Sequence, residues 1–160
     1  MTTADSPTPD LGQSELGEVT HTRIYNAPRE LVFECMTTPE HLCHFWGPIG
    51  MSTPLDKIVM DVRPGGVFST TMVHDETGEE YEMTGIYFAV EPPSLLVFGA
   101  AEGEFPETNT VHFNDLGNGR TEVITHQTNL PLMYLSPEAQ AGMQTSFDKF
   151  DAYVTTLAAA

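Results

Sequence analysis

Four residues close together in the chain, Cys35, His41, Cys43 and His44, are all of types that ligate zinc. A zinc site needs spacings that let its donors converge, and Cys35 to Cys43 matches none of the common patterns. Leu42, Phe45 and Trp46 also claim the buried face of the same short helix, so an exposed pair is enough to explain His41 and His44. No metal site is expected. His21, His74, His112 and His126 fall in or at the ends of predicted strands, and with 23 Asp and Glu some His–acid proximity arises by chance. Acid–base catalysis needs a polar group facing a cavity, and His126, late in the last strand, is the histidine to test for it. The chain has no G-x-S-x-G nucleophile elbow and no evident cysteine nucleophile motif. Arg63-Pro-Gly-Gly66 lacks the spaced Lys-Ser/Thr of a phosphate loop and reads as a turn. The residue types name no catalytic group and imply no cofactor.

The stronger signals are apolar. In Thr38-Pro-Glu-His-Leu-Cys-His-Phe-Trp-Gly-Pro48 a threonine cap and a proline start a short helix, and Gly47-Pro48 stops it. Leu42, Phe45 and Trp46 give that helix a patch too large to be stable unless it closes over another apolar surface. The partner lies at the other end of the chain. Ser136-Pro-Glu138 begins a long helix whose apolar residues, Ala139, Met143, Phe147, Phe150, Val154 and Leu157, recur at helical spacing. Gln144, Asp148, Asp151 and Thr155 are expected on its opposite face.

Strands lie between and before these helices. Val19–Tyr25 reads as a first strand, and Asn26-Ala-Pro28 starts a helix that buries Leu31, Val32, Cys35 and Met36. Ser52–Val62, Val67–His74, Tyr81–Val90, Leu95–Ala100, Asn109–Asn114 and Thr121–Thr128 follow as strands joined by short turns. Asn118-Gly119 is the strongest of the hairpin signals. Such a series makes an antiparallel meander. Residues 1–17, rich in Thr, Ser, Pro, Asp and Glu, read as a disordered tail without the basic start and apolar core of a signal peptide.

At 160 residues, one domain that buries about 70% of its unfolded surface is the natural reading. No apolar run approaches the ~20 residues of a membrane span. Six Lys and Arg against 23 Asp and Glu give a formal charge of -17, which repels phosphate backbones and anionic lipid. Nucleic acid is therefore not an expected partner. Two cysteines are too few for a disulfide scaffold, and reduced thiols in a cytoplasmic protein are expected.

The order strand, two short helices, six strands, long helix carries a closer likeness. Ala27-Pro-Arg-Glu-Leu-Val-Phe33, Thr38–Pro48, Asp61-Val-Arg-Pro-Gly-Gly66, Gly85-Ile-Tyr87, Val90-Glu-Pro-Pro93 with Leu95-Leu-Val97, and Phe147-Asp-Lys-Phe-Asp-Ala-Tyr153 stand in a familiar sequence. Over about Val19–Leu157 the chain resembles bacterial members of the AHSA1-like branch of the START/polyketide-cyclase (SRPBCC) superfamily. The resemblance implies an α+β helix-grip fold. A seven-stranded antiparallel sheet would wrap the C-terminal helix, with two short helices between strands 1 and 2, in a single domain over residues 18–158. Where members often have Trp-Trp before Gly-Pro this chain has Phe45-Trp46, and where they carry Gly-Trp early in the last helix it has Gly142-Met143.

Superfamily members hold apolar molecules between helix and sheet, and some are cyclases, dehydratases or hydrolases. If the grip forms here, Phe45 and Trp46 belong to the lid. Phe68, Met72, Tyr87 and Phe113 line the sheet side, and Met143 and Phe147 the helix side. These residues either surround a ligand cavity for a small apolar or amphipathic molecule, with Tyr87, Thr125 and Gln127 as polar anchors, or simply fill a core. The enzymatic alternative would use His126 or Tyr87. A third alternative is chaperone activation, but the Hsp90-activating relatives carry a separate N-terminal domain where this chain has a short tail, so an Hsp90 homologue is not the expected partner. An open sheet leaves an edge or face on which a homodimer could form.

Overall fold

The computed structural model describes residues 16–101 and 106–159. The expected tail falls outside them except for Leu16 and Gly17, which open strand β1 (Leu16–Tyr25) opposite Pro131 and Leu130. Pro28 then caps helix α1 (Arg29–Thr37), and Thr38 and Pro39 start α2 (Pro39–Leu42). The second helix is shorter than its sequence suggests. Beyond Leu42 the chain continues in tight turns, with Phe45 and Trp46 both donating their amides to the Leu42 carbonyl. Gly47 follows with φ 101, which only glycine adopts at little cost, and there the chain turns away.

The expected strand Ser52–Val62 is broken in two. Pro54 has no N–H to give a ladder and instead caps a 3-10 turn, Leu55–Lys57, between β2 (Met51–Ser52) and β3 (Ile58–Met60). Both short pieces pair with β4 (Val67–His74). β5 (Glu80–Glu91), β6 (Leu95–Gly99), β7 (Thr108–Gly117) and β8 (Arg120–Pro131) continue the meander. Asn118 and Gly119, at φ 58 and 71, form the two-residue turn between β7 and β8. β1 closes the far side of the sheet by pairing with β8, giving the order β1-β8-β7-β6-β5-β4-β2, with β3 also on β4. With β2 and β3 taken as one interrupted edge strand, this is the expected seven-stranded antiparallel sheet.

The sheet curls because backbones cross closely at its glycines. A Cβ on Gly85 would sit 2.2 Å from the Gly99 carbonyl oxygen, and one on Gly99 would sit 2.0 Å from that of Glu107. The register also slips between Tyr87 and Ala89, which bends β5 further. After a 3-10 turn at Leu132–Leu135, helix α3 (Pro137–Ala159) runs through the hollow, its first turn capped by Ser136 Oγ accepting from the Ala139 amide at 3.1 Å. The helix-grip fold is present.

Helix α3 is gripped unevenly. Phe150 and Val154 are fully buried among Tyr25, Phe45, Val32 and Cys35, while Met143 and Phe147 are only half-buried. The polar face is not simply solvated. Gln144 and Asp148 both accept from Arg23 on β1, at 3.3 and 2.9 Å. Among the described residues no helix is long and apolar enough to cross a membrane.

A half-filled grip as candidate ligand site

The space left beside Met143 and Phe147 is a cavity of about 460 Å³, within the size range of small-molecule sites. Phe45, Trp46, Gly47 and Pro48 form its lid, and Met143, Ser146 and Phe147 its helical wall. Its floor is read from the sheet register. Tyr87, Phe98, Asn109 and Gln127 are successive partners across β5, β6, β7 and β8 and make one row; Leu96, Val111 and Thr125 make the next. Phe68 on β4 pairs with Gly85 of β5 and meets the Trp46 ring edge-on at 5.5 Å between centroids. At the rim are Tyr81, Glu82, Met83, Glu107, Tyr134 and Gln140.

Of the residues expected around a cavity, Phe45, Trp46, Phe68, Met72, Tyr87, Met143 and Phe147 line it, as do the expected anchors Thr125 and Gln127. Phe113 does not, and is corrected here. It shares the inward face of β7 with Asn109 and Val111 but lies further along the strand. There Phe33 of α1 meets it at 5.2 Å and leaves it 0% exposed. Inwardness alone does not put a residue on a cavity; position along the strand decides what covers it.

The polar row was only partly legible. Asn109 and Glu107 were missed, although stepping back in twos from Phe113 along β7 leads to both. Gln127 donates to Asn109 Oδ1 at 2.8 Å, and Asn109 in turn donates weakly to the Phe98 carbonyl at 3.5 Å. The Tyr87 hydroxyl is buried and has no hydrogen-bond partner among the described residues. Burial pushes that phenol above its usual range and raises the Glu107 carboxyl likewise.

The histidines do not serve this site. His126 sits on the outer face of β8, with Nε2 3.4 Å from Glu18. His74 caps its own turn by accepting from the Glu76 and Thr77 amides. His21 points inward, bonds Gln144 at 3.3 Å and packs edge-on to Phe147, beside the cavity but not on its lining. Burial holds His21 below its usual range while the Gln127 side chain favours the charged ring, although no hydrogen bond reaches Nε2.

The Cys–His group takes other partners as well. His41 Nδ1 lies 2.6 Å from the Tyr153 hydroxyl, and His44 stacks on the Tyr153 ring. Both cysteines are free thiols, with Cys35 pushed up to about 12 by burial and so unreactive as a nucleophile. Among the described residues no three His, Cys, Asp or Glu converge as a metal site.

The lid is tied to the helix by polar bonds. Lys149 Nζ donates to the carbonyls of Gly47, Met51 and Pro48 at 3.0, 3.2 and 3.5 Å. Thr145 Oγ1 accepts from the Ile49 amide at 3.0 Å. Partial burial lowers the Lys149 pKa, and the nearby Asp75 carboxylate counters it.

The same architecture recurs in solved structures. A protein from Nitrosomonas europaea matches with a TM-score of 0.78 at 20% identity, over 92% of this chain and 99% of that one. The AHSA1 protein from Silicibacter pomeroyi matches with a TM-score of 0.74 at 20% identity, over 88% and 99%. A protein from Mycobacterium smegmatis matches with a TM-score of 0.72 at 25% identity, over 91% and 94%. No curated protein matches the sequence. A family model described as activator of Hsp90 ATPase homolog 1-like protein covers residues 26–155, from the start of α1 almost to the end of the gripped helix. The chain belongs to the AHSA1-like family.

Proposed function

We propose that this protein is a cytoplasmic binding protein, one domain over residues 18–158, that holds a small apolar or amphipathic molecule between its sheet and α3. The observation that carries the reading is a cavity of about 460 Å³ walled by aromatic and thioether side chains, where a filled core would place none. The Tyr87 hydroxyl, buried without a partner among the described residues, supplies a polar anchor whose bond a guest can complete. Phe45, Trp46, Phe68, Met72, Tyr87, Met143 and Phe147 are the proposed contacts. Two free cysteines suit a reducing compartment.

Catalysis draws less support. None of the six histidines lines the cavity, and Tyr87 has no second polar group within hydrogen-bond reach among the described residues. An acid–base pair needs that second group.

Native mass spectrometry of freshly purified protein, followed by titration with the neutral fluorophore N-phenyl-1-naphthylamine, tests the reading. Trp46, the chain's single tryptophan, sits in the lid and reports occupancy by its emission. The expected result is a co-purified small molecule, or saturable fluorophore binding that changes Trp46 emission and is lost in Met143→Trp. Absence of both a co-purified molecule and saturable binding would remove the proposal.

A further inference from the structure

The charges around the cavity are one-sided. Its ionisable lining, tyrosines apart, is Glu82 and Glu107; Glu82 alternates with the inward Tyr81 and Met83 and turns its side chain to the outer face of β5, which leaves Glu107 as the acid on the inner face. The chain has only six Lys and Arg, all among the described residues, and none of them reaches the cavity wall. Arg23 is held by Asp148, Lys57 by Glu80, Arg63 by Asp61, and Lys149 by the lid carbonyls. Arg29 bonds the Phe113 carbonyl at the packed end. Arg120 stands in the β7–β8 hairpin, opposite Gly117. Glu107 is half-buried and has no cation within 4.0 Å among the described residues. The cavity is thus a partly dry space that offers acid and aromatic faces but no base.

A carboxylate or phosphate headgroup entering it would meet Glu107 and no counter-charge, at a net chain charge of -17. Its desolvation would go uncompensated. A cation has the opposite experience. Glu107 faces it, and the ring faces of the wall attract positive charge. An acid half-removed from water without a partner is stabilised by a guest that brings the missing charge.

We infer that the cavity selects an amphipathic monocation, with its charged group at the rim against Glu107 and its apolar body between the sheet and α3. This inference rests on the ligand-binding reading above and narrows it to one class of guest. It sets fatty acids, acyl phosphates and other anionic amphiphiles apart as non-ligands. It also gives Glu107 a role beyond shape: the carboxylate sets which of several equally greasy molecules is held.

The test uses the full chain and a matched set of probes below their micellar concentrations: dodecyltrimethylammonium, dodecanol and dodecanoate. Each competes against N-phenyl-1-naphthylamine at about 0.15 M salt, where long-range attraction to the acidic surface is screened. The cation is expected to displace the fluorophore at about tenfold lower concentration than the alcohol, with the carboxylate weakest, because a charge pair at a half-buried site outweighs one exposed to water. Glu107→Gln closes the gap, while its far-UV circular dichroism reports an intact fold. Glu122→Gln, on the outer face of β8, leaves the gap as it is and controls for net charge. Dodecanoate binding as well as the cation, or a preference that survives Glu107→Gln, overturns the inference while the binding function stands. Failure of the fluorophore and all three probes to bind removes both.

Discussion

The two halves of α3 carry one apolar stripe and do different work. Toward its C-terminal half, Phe150 meets Tyr25 at 4.8 Å and Phe45 at 4.4 Å between ring centroids, and Val154 is fully buried. Toward its N-terminal half, Phe147 has His21 edge-on at 5.2 Å on one side and open space on the other. The difference comes from what faces the helix. At the packed end α1 inserts Val32, Phe33 and Cys35 between helix and sheet, whereas at the open end the facing row is Tyr87, Asn109 and Gln127. Helical spacing records that a residue faces inward. It does not record whether anything stands opposite.

This contrast breaks most readily at the two phenylalanines. Phe150→Ala is expected to destabilise the fold by about 3–5 kcal/mol in urea unfolding, and Phe147→Ala by less than about half of that, because Phe150 touches the cavity but is otherwise fully enclosed, whereas Phe147 is half-buried and loses fewer contacts. Equal losses would show that the open end is as tightly packed as the closed one. Overfilling reverses the comparison. Val154→Phe should cost about 1–3 kcal/mol, while Met143→Trp costs little and excludes fluorophore from the cavity.

The lid tie comes next in size. Lys149→Met removes bonds to three carbonyls and should cost about 1–2 kcal/mol in the same unfolding assay. Trp46 emission should shift with it, since Trp46 adjoins the loop that is released.

The smallest effect concerns His21, at the boundary of the two halves. Its pKa is lowered in the folded protein, so the unfolded chain takes up the proton first. Stability contributed by the neutral ring is therefore whole above about pH 6.5 and falls as the pH drops below it, at no more than about 1.4 kcal/mol per pH unit. The difference between wild type and His21→Gln, measured from pH 7.5 down to 5, isolates that slope; parallel curves would deny the shift.

Much of the fold was legible because local signals agreed with one another. Asn118-Gly119 marked a turn whose positive φ values those residues tolerate, and the Ser136-Pro137 start of α3 is capped as its sequence implies. The break at Pro54 was not read, because an edge strand looks continuous until a missing N–H is set against its pairing partner. At the site, the lid and helix residues stood out as large apolar side chains on short periodic elements. Phe113 and Glu107 misled or escaped for one reason: both lie on the inward face of the chain around β7, and only the cross-strand register shows which stretch α1 covers and which is left open. The polar face of α3 was legible only as a face, since nothing local says that Arg23 lies across from Gln144 and Asp148.

The ammonium of Lys149 decides which wall can yield. Swinging the Gly47–Met51 loop outward strips a half-buried positive charge of three acceptors in one movement, so that side behaves as a hinge that stays shut. On the proposed function, the way in is the rim between Tyr81 and Tyr134, each about half exposed and neither bonded across the gap to the other among the described residues. On the cationic-guest reading, a molecule arriving there meets the Glu107 carboxylate ahead of the deeper rings, and charge is sorted before shape.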